Sequence, residues 1–335
     1  EDKSYAYGFN SYALAACAAE LIVNAYLDAQ GVETTLLASC GDDDVTPDAP
    51  TKEKYTFLAP SGTPSLALST LFDGNDKVEY EIVAGSNPLI AGFTSKEYDF
   101  IVAPVNVGAK LFANKPNYKL VKTIVWGNFY IASLSEITIV KDLEGKTITS
   151  FSQNSSPDIM LQAVLDAYGL KGKVNVEYVD SVQTANSMLM SGQAEITITA
   201  EPSASVLRNK KTLYTIDLQQ EWSKLSGGKS FPQAGLFVNV DLLEYEGIDE
   251  FIEEVITRIE DYKTPSVLAE SAVKIDDAFK NVGVEALTKA IPNCWISIKS
   301  KEEQQAAIKY YAEKLVSLGL GAQIGGGAPS EDFYY

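Results

Sequence analysis

The chain has 335 residues, enough for two lobes with separate cores. Asp and Glu number 45 against 27 Lys and Arg, a formal charge of −18, and a field of that sign repels nucleic-acid phosphates and anionic lipid surfaces. There is no histidine, which excludes Ser-His-Asp and Cys-His catalysis and the commonest metal ligand; the scattered Cys17, Cys40 and Cys294 point to no disulfide framework and no zinc site.

Residues 1–53 read as an N-terminal extension. Within it, residues 11–29 have the pattern of an amphipathic helix, with Leu14, Cys17, Leu21, Val23, Ala25 and Leu27 as its apolar part. Leu37-Ala38-Ser39-Cys40-Gly41 resembles a bacterial lipobox, in which Cys40 would carry the lipid, and the acidic, Pro-containing stretch 42–50 reads as a tether. Glu20, Asn24, Asp28 and Glu33 interrupt the apolar run that a signal peptide needs. Either the lipobox match is chance or the upstream residues are not the native signal. No run of 18 apolar residues is present, as a membrane-spanning helix would require.

From Lys54 onward strands and helices alternate. Strands are predicted at 55–59, 78–83, 98–103 and 120–125, and helices at 65–72, after Pro88 and after Gly108. A second series follows: strands at 146–150, 174–178, 195–199 and 213–217, with helices from Pro157 to about Tyr168 and at 182–191. A strand at 235–239 returns the chain to the first lobe, and the remainder is mostly helical, at 248–262, 265–270, 284–290 and 301–318. Such alternation predicts an α/β protein of two lobes, each a mainly parallel sheet flanked by helices. One lobe combines 54–138 with 236–335 and the other is 139–235. The two connections, near Ser133–Lys141 and Gln233–Gly235, would form a hinge that closes on a ligand.

In open α/β sheets ligands bind beyond the carboxyl ends of the strands. That rule selects the loops 60–64, 84–88, 103–108, 126–128, 150–157 and 200–203, with Ser61, Gly62, Thr63, Asn87, Asn106, Trp126, Asn128, Ser152, Asn154, Ser155 and Glu201 as candidate ligand-binding residues. Ser156-Pro157 fits a helix start, where free amides hold an anion or serve only as a cap. Trp126 suits stacking on a flat ligand or simple burial. Glu201 could pair with a ligand amino group or complement a helix N-terminus. Gly325-Gly326-Gly327 lacks the Lys and Ser or Thr of a phosphate-binding loop.

Several segments carry a family resemblance: Tyr98-Asp99-Phe100-Ile101-Val102-Ala103-Pro104-Val105-Asn106, Leu143-Glu144-Gly145-Lys146-Thr147-Ile148, Leu189-Met190-Ser191-Gly192-Gln193-Ala194-Glu195, Ala200-Glu201-Pro202 and the closing Pro329-Ser330-Glu331-Asp332-Phe333-Tyr334-Tyr335. In order and spacing the chain resembles the solute-binding proteins of the sulfonate, nitrate and thiamine-pyrimidine-precursor group. The resemblance implies a two-lobe periplasmic-binding-protein fold of type II, an extracytoplasmic location by secretion or lipid anchor, a small-molecule ligand, an ABC permease in the membrane as partner, a monomeric state and no cofactor. It implies a binding protein and not an enzyme. Trp126, Asn106 and Glu201 would suit a small planar heterocycle such as a thiamine pyrimidine precursor, and the hydroxyl-rich helix starts an alkanesulfonate or other organic anion. Pyrimidine synthesis on the related fold uses histidine and clustered cysteines, which this chain lacks. Where the family has a glycine-rich stretch, this chain has Ser152-Gln153-Asn154-Ser155-Ser156.

Overall fold

A computed structural model of the protein describes residues 50–335. Cys17, Cys40, the 11–29 segment and the extension up to residue 49 lie outside the described residues. Residues 50–53 are not a free tether end. Lys52 Nζ lies 2.6 Å from Asp99 Oδ1, and the Glu246 amide donates to the Pro50 carbonyl at 3.0 Å.

Two five-stranded sheets with the same plan organise the chain. The first contains β1 (Tyr55–Pro60), β2 (Val78–Val83), β3 (Phe100–Pro104), β4 (Tyr118–Val125) and β10 (Ala234–Asn239), in the order β2-β1-β3-β10-β4. The second contains β5 (Phe129–Ser133), β6 (Thr147–Phe151), β7 (Asn175–Val179), β8 (Ile196–Ala200) and β9 (Tyr214–Asp217), in the order β7-β6-β8-β5-β9. In each sheet one inserted strand runs against its neighbours: β10 between β3 and β4, and β5 between β8 and β9. The central strands are near-continuous apolar runs because helices cover both faces; Phe100, Ile101, Val102 and Ala103 are all fully buried. This is the two-lobe arrangement expected from the alternation.

The helices are α1 (Thr63–Leu66), α2 (Ser69–Phe72), α3 (Asn87–Ser95), α4 (Val105–Asn114), α5 (Ser156–Ala167), α6 (Val182–Ser191), α7 (Ser203–Lys210), α8 (Leu218–Leu225), α9 (Ile248–Ile259), α10 (Pro265–Ile275), α11 (Asp277–Val282), α12 (Val284–Ala290) and α13 (Lys301–Ser317).

The first crossing between lobes comes earlier than the sequence suggests. Phe129 pairs with Ala200 and Tyr130 with Asp217, so β5 belongs to the second sheet and the chain crosses at Trp126–Asn128. The boundary at 138 and the hinge at 133–141 are corrected accordingly: Phe129-Tyr130-Ile131-Ala132-Ser133 reads as more lobe-one core because an inserted strand is buried like any other. The crossing needs an unusual backbone, with φ of 114° at Gly127 and 101° at Asn128. Gln219 pins it to the return crossing. Its Oε1 accepts from the Phe231 amide at 3.1 Å, and a Cβ on Gly127 would lie 2.5 Å from that same oxygen.

The C-terminal helix is not confined to lobe one either. On α13, Gln304 Oε1 accepts from the β4 amide of Thr123 at 2.6 Å. Farther along, the Tyr310 hydroxyl donates to the Leu225 carbonyl at 2.8 Å, and the Tyr311 ring packs edge-on against Phe231, with centroids 4.9 Å apart. One apolar cluster therefore runs from Phe237 through Ile308, Tyr311 and Leu315 to Leu161 and Trp222. Trp222, on α8, is 1% exposed.

Candidate functional site

The carboxyl ends of β1, β2 and β3 from one sheet face those of β6, β7 and β8 from the other across a cavity of about 180 Å³. A dry cavity of roughly 150 Å³ takes a benzene-sized molecule, so the space suits a small ligand. Outside it lies a wider vestibule lined by Asn87, Gln153 and Tyr178.

Helix starts dominate the lining. The residues preceding α3, α5, α6 and α7, namely Ser86, Ser155, Ser181 and Pro202, all border the cavity. The first-turn amides of a helix have no acceptor within it and carry the positive end of the dipole. An N-cap serine ordinarily satisfies one of them, and Ser181 does so, accepting from the Thr184 amide at 3.2 Å. Ser86 and Ser155 make no such bond, which leaves their hydroxyls and the amides behind them free for a ligand. Ser61, Thr63, Ser152, Ser156, Gln183 and Ser203 add further polar groups. Leu89, Phe129 and Phe151 form an apolar wall, the two rings meeting edge-on at 6.3 Å. Among the described residues, no Lys or Arg lines the cavity.

Thr63 ties the two walls together. Its hydroxyl donates to the Glu201 carbonyl at 2.7 Å and accepts from Asn128 Nδ2 at 2.8 Å. Backbone conformations of the left-handed region gather here in residues other than glycine: Asn128, Ser152 at φ 53° and Asn154 at φ 62°. Such residues cluster where a fixed loop shape serves a site.

Of the residues singled out from sequence, Ser61, Gly62, Thr63, Asn128, Ser152, Ser155 and Glu201 border the cavity. Asn87 borders only the vestibule. Asn154 is exposed outside the cavity, where its amide donates to Asp158 Oδ2 at 2.8 Å. Asn106 is buried in α4 with its Nδ2 on the Gln323 carbonyl at 3.2 Å. Trp126 is fully buried and donates from Nε1 to the Ser297 carbonyl at 2.9 Å. Neither Asn106 nor Trp126 reaches the cleft, which corrects both assignments. Ser156, placed from sequence at the helix start, borders the cavity as the first residue of α5, one beyond the N-cap Ser155. Sequence reasoning missed Ser86, Gln183, Gln233 and above all Asp180 and Ser181. Applying the strand-end rule to β7 as well would have found the last two.

Glu201 also needs correction. Its backbone lies at the cleft, but its carboxylate turns into lobe two. There it accepts from the Ser205 amide at 2.9 Å and hydroxyl at 3.0 Å and pairs with Arg208. Arg208 in turn lies over the Tyr130 ring, 4.9 Å from its centroid. Burial raises the Glu201 pKa more than Arg208 and Ser205 lower it. A carboxyl whose folded pKa exceeds its unfolded one contributes stability at acid pH that is lost as pH rises from 4.5 through the raised value. Glu201→Gln is therefore expected to flatten the fall of melting temperature over that interval. Ligand affinity should stay within about threefold, under 1 kcal/mol, as calorimetry would record. Nearby Cys294 is fully buried, and burial pushes its thiol well above the usual range, so it stays protonated.

Residues 118–263 match the family described as NMT1/THI5 like. This is the group the sequence resembles. The matched segment runs from the start of β4 to four residues past the end of α9 and includes both crossings and the whole second sheet. No curated protein sequence matches the chain. Among solved structures, an ABC transporter protein from Parabacteroides distasonis is similar, with TM-score 0.69 and 18% identity over 85% of this chain and 99% of that one. The periplasmic aliphatic sulphonate binding protein SsuA of Escherichia coli has TM-score 0.60 and 14% identity over 84% and 94%. The alkanesulfonate-binding protein SsuA from Xanthomonas axonopodis pv. citri, bound to MOPS, has TM-score 0.58 and 14% identity over 81% and 95%. At these identities the likeness is one of fold, the two-lobe type II periplasmic-binding-protein fold.

Proposed function

We propose that the protein is the extracytoplasmic solute-binding component of an ABC importer, and that it captures a small organic oxyanion of the sulfonate class between its lobes. The observation that carries this reading is the convergence of four helix starts, with the hydroxyls of Ser86 and Ser155 unused for capping, on one cavity that no cationic side chain among the described residues lines. Free amides and dipole ends hold tetrahedral oxyanions without a formal positive charge. The apolar wall of Leu89, Phe129 and Phe151 fits a short alkyl tail. The family match and the sulfonate-binding proteins of the same fold support the reading. The planar heterocycle expected from sequence loses its supporting contacts, since Trp126 is core and the Glu201 carboxylate is engaged with Arg208. The importer's permease is the membrane partner, the protein acts as a monomer, and hinge motion at Trp126–Asn128 and the return crossing admits the ligand. No step of chemistry is assigned to the cleft. Calorimetric titration with short alkanesulfonates and with aminopyrimidines tests the assignment: saturable heat from the sulfonates alone is expected, and heat from the pyrimidines alone would overturn it.

A further inference from the structure

A third tie between the lobes stands beside the two crossings. Helix α13 is held to lobe one at Gln304, whose side chain accepts from the β4 amide of Thr123 at 2.6 Å. Its second half rests on lobe two. The Tyr310 hydroxyl donates to the Leu225 carbonyl at 2.8 Å, with the Lys229 ammonium 5.6 Å from the centre of its ring. Lys314 Nζ lies 3.2 Å from Asp166 Oδ2 on α5. Between these contacts the fully buried Tyr311 ring packs edge-on against Phe231 and Trp222, at 4.9 and 6.0 Å. The chain then returns to lobe one, where the Gln323 carbonyl accepts from Asn106 Nδ2 on α4 at 3.2 Å.

A segment fixed to lobe one at both ends and seated on lobe two in between resists rotation of one lobe against the other. The 17 residues of α13 include no glycine or proline, the residues at which helices most readily kink, so the helix moves as one rod. Swinging lobe two wide about Trp126–Asn128 and the return crossing would draw the Tyr311 ring into water and break the Tyr310 and Lys314 contacts together. Buried aromatic rings carry a large share of packing energy, which sets this motion against the strongest part of the contact. Resting on the reading of a hinged solute-binding protein, we infer that α13 is a strap that holds the unliganded lobes near their closed arrangement. Ligand then exchanges through small excursions at the crossings, and a wide opening requires α13 to let go of lobe two.

Spin labels on either side of the vestibule read the opening in the unliganded full chain, so the result does not depend on which solute binds. Asn87→Cys and Gln153→Cys place them at exposed positions on opposite lobes, in a Cys17→Ser, Cys40→Ser background; Cys294 is fully buried. Double electron–electron resonance is expected to give one narrow distance when α13 is unaltered. Tyr310→Phe with Lys314→Glu removes the bond to Leu225 and sets a carboxylate against Asp166. Both side chains are half-buried, so this chain should fold, and it should add a second population longer by about 5 Å, the scale of known switching displacements. Tyr311→Phe keeps the ring contacts and loses a hydroxyl that has no protein partner, and should leave the narrow distance unchanged. A broad distance with α13 unaltered, a narrow one in Tyr310→Phe/Lys314→Glu, or equal opening in Tyr311→Phe overturns the strap and leaves the oxyanion reading standing. Absence of heat from sulfonates in calorimetry would overturn that reading and leave the strap.

Discussion

Replacing Ser155 by aspartate is expected to abolish oxyanion capture while leaving the fold as stable as before. Ser155 stands at the N-cap of α5, its hydroxyl makes no capping bond, and it borders the cavity. Aspartate is as good an N-cap as serine, and its charge gains a few tenths of a kcal/mol from the helix dipole. The melting temperature should therefore stay within about 2 °C. The same carboxylate would occupy the wall against which the ligand's oxyanion rests. At about 4 Å and an effective dielectric near 20, two like charges repel by about 4 kcal/mol, about a thousandfold in affinity. Ser155→Ala removes only one hydroxyl contact, about 0.5–1.5 kcal/mol, and should weaken binding by no more than about twelvefold. Calorimetry and thermal unfolding on both variants check the pair. Undiminished binding by Ser155→Asp would place the ligand elsewhere or make it uncharged.

Gly108→Ala is expected to have the largest effect on stability, and with the opposite sign to the usual one. Glycine inside a helix is ordinarily worse than alanine by about 1 kcal/mol. Gly108 lies within α4, where a Cβ would fall 2.1 Å from the Cζ of Phe237. Phe237 is fully buried on β10 and packs edge-on against Phe93 at 5.3 Å. Its ring cannot retreat without displacing that cluster, and overpacking of this kind costs about 1–3 kcal/mol and occasionally more. We expect a net loss of about 2 kcal/mol or more, read as a fall of at least about 5 °C in melting temperature. A variant that melts with the native protein would mean that α4 and β10 are spaced farther apart.

Gly108 also illustrates what was legible in the sequence. It was read as the end of a loop, because glycine and the preceding Pro104 and Asn106 carry turn signals; its use as a contact surface for β10 depends on a strand more than a hundred residues away. The strand–helix alternation and the two-lobe plan were readable because buried strands announce themselves as apolar runs such as Phe100-Ile101-Val102-Ala103. The misplaced crossing at β5 has the same origin: an apolar run says that a strand is buried, not in which sheet. The cleft loops followed from strand ends, and Ser61, Thr63, Ser152 and Ser155 stand where that rule put them. Which side chains enter the cleft did not follow. Trp126 and Glu201 sit within two residues of cavity-lining Asn128 and Ser203, and a shift of one residue at a strand end turns a side chain to the opposite face. The capping role of Asp158, which takes the Asn154 amide and the Tyr178 hydroxyl at 2.8 Å each, likewise joins elements the sequence does not bring together.

Native mass spectrometry of gently purified protein, with identification of any released molecule, shows which class of solute the cleft holds. A bound organic oxyanion of the sulfonate class, carried by the native protein and absent from Ser155→Asp, is expected. A flat, uncharged heterocycle released from the native protein, or the same ligand still bound to Ser155→Asp, would contradict it.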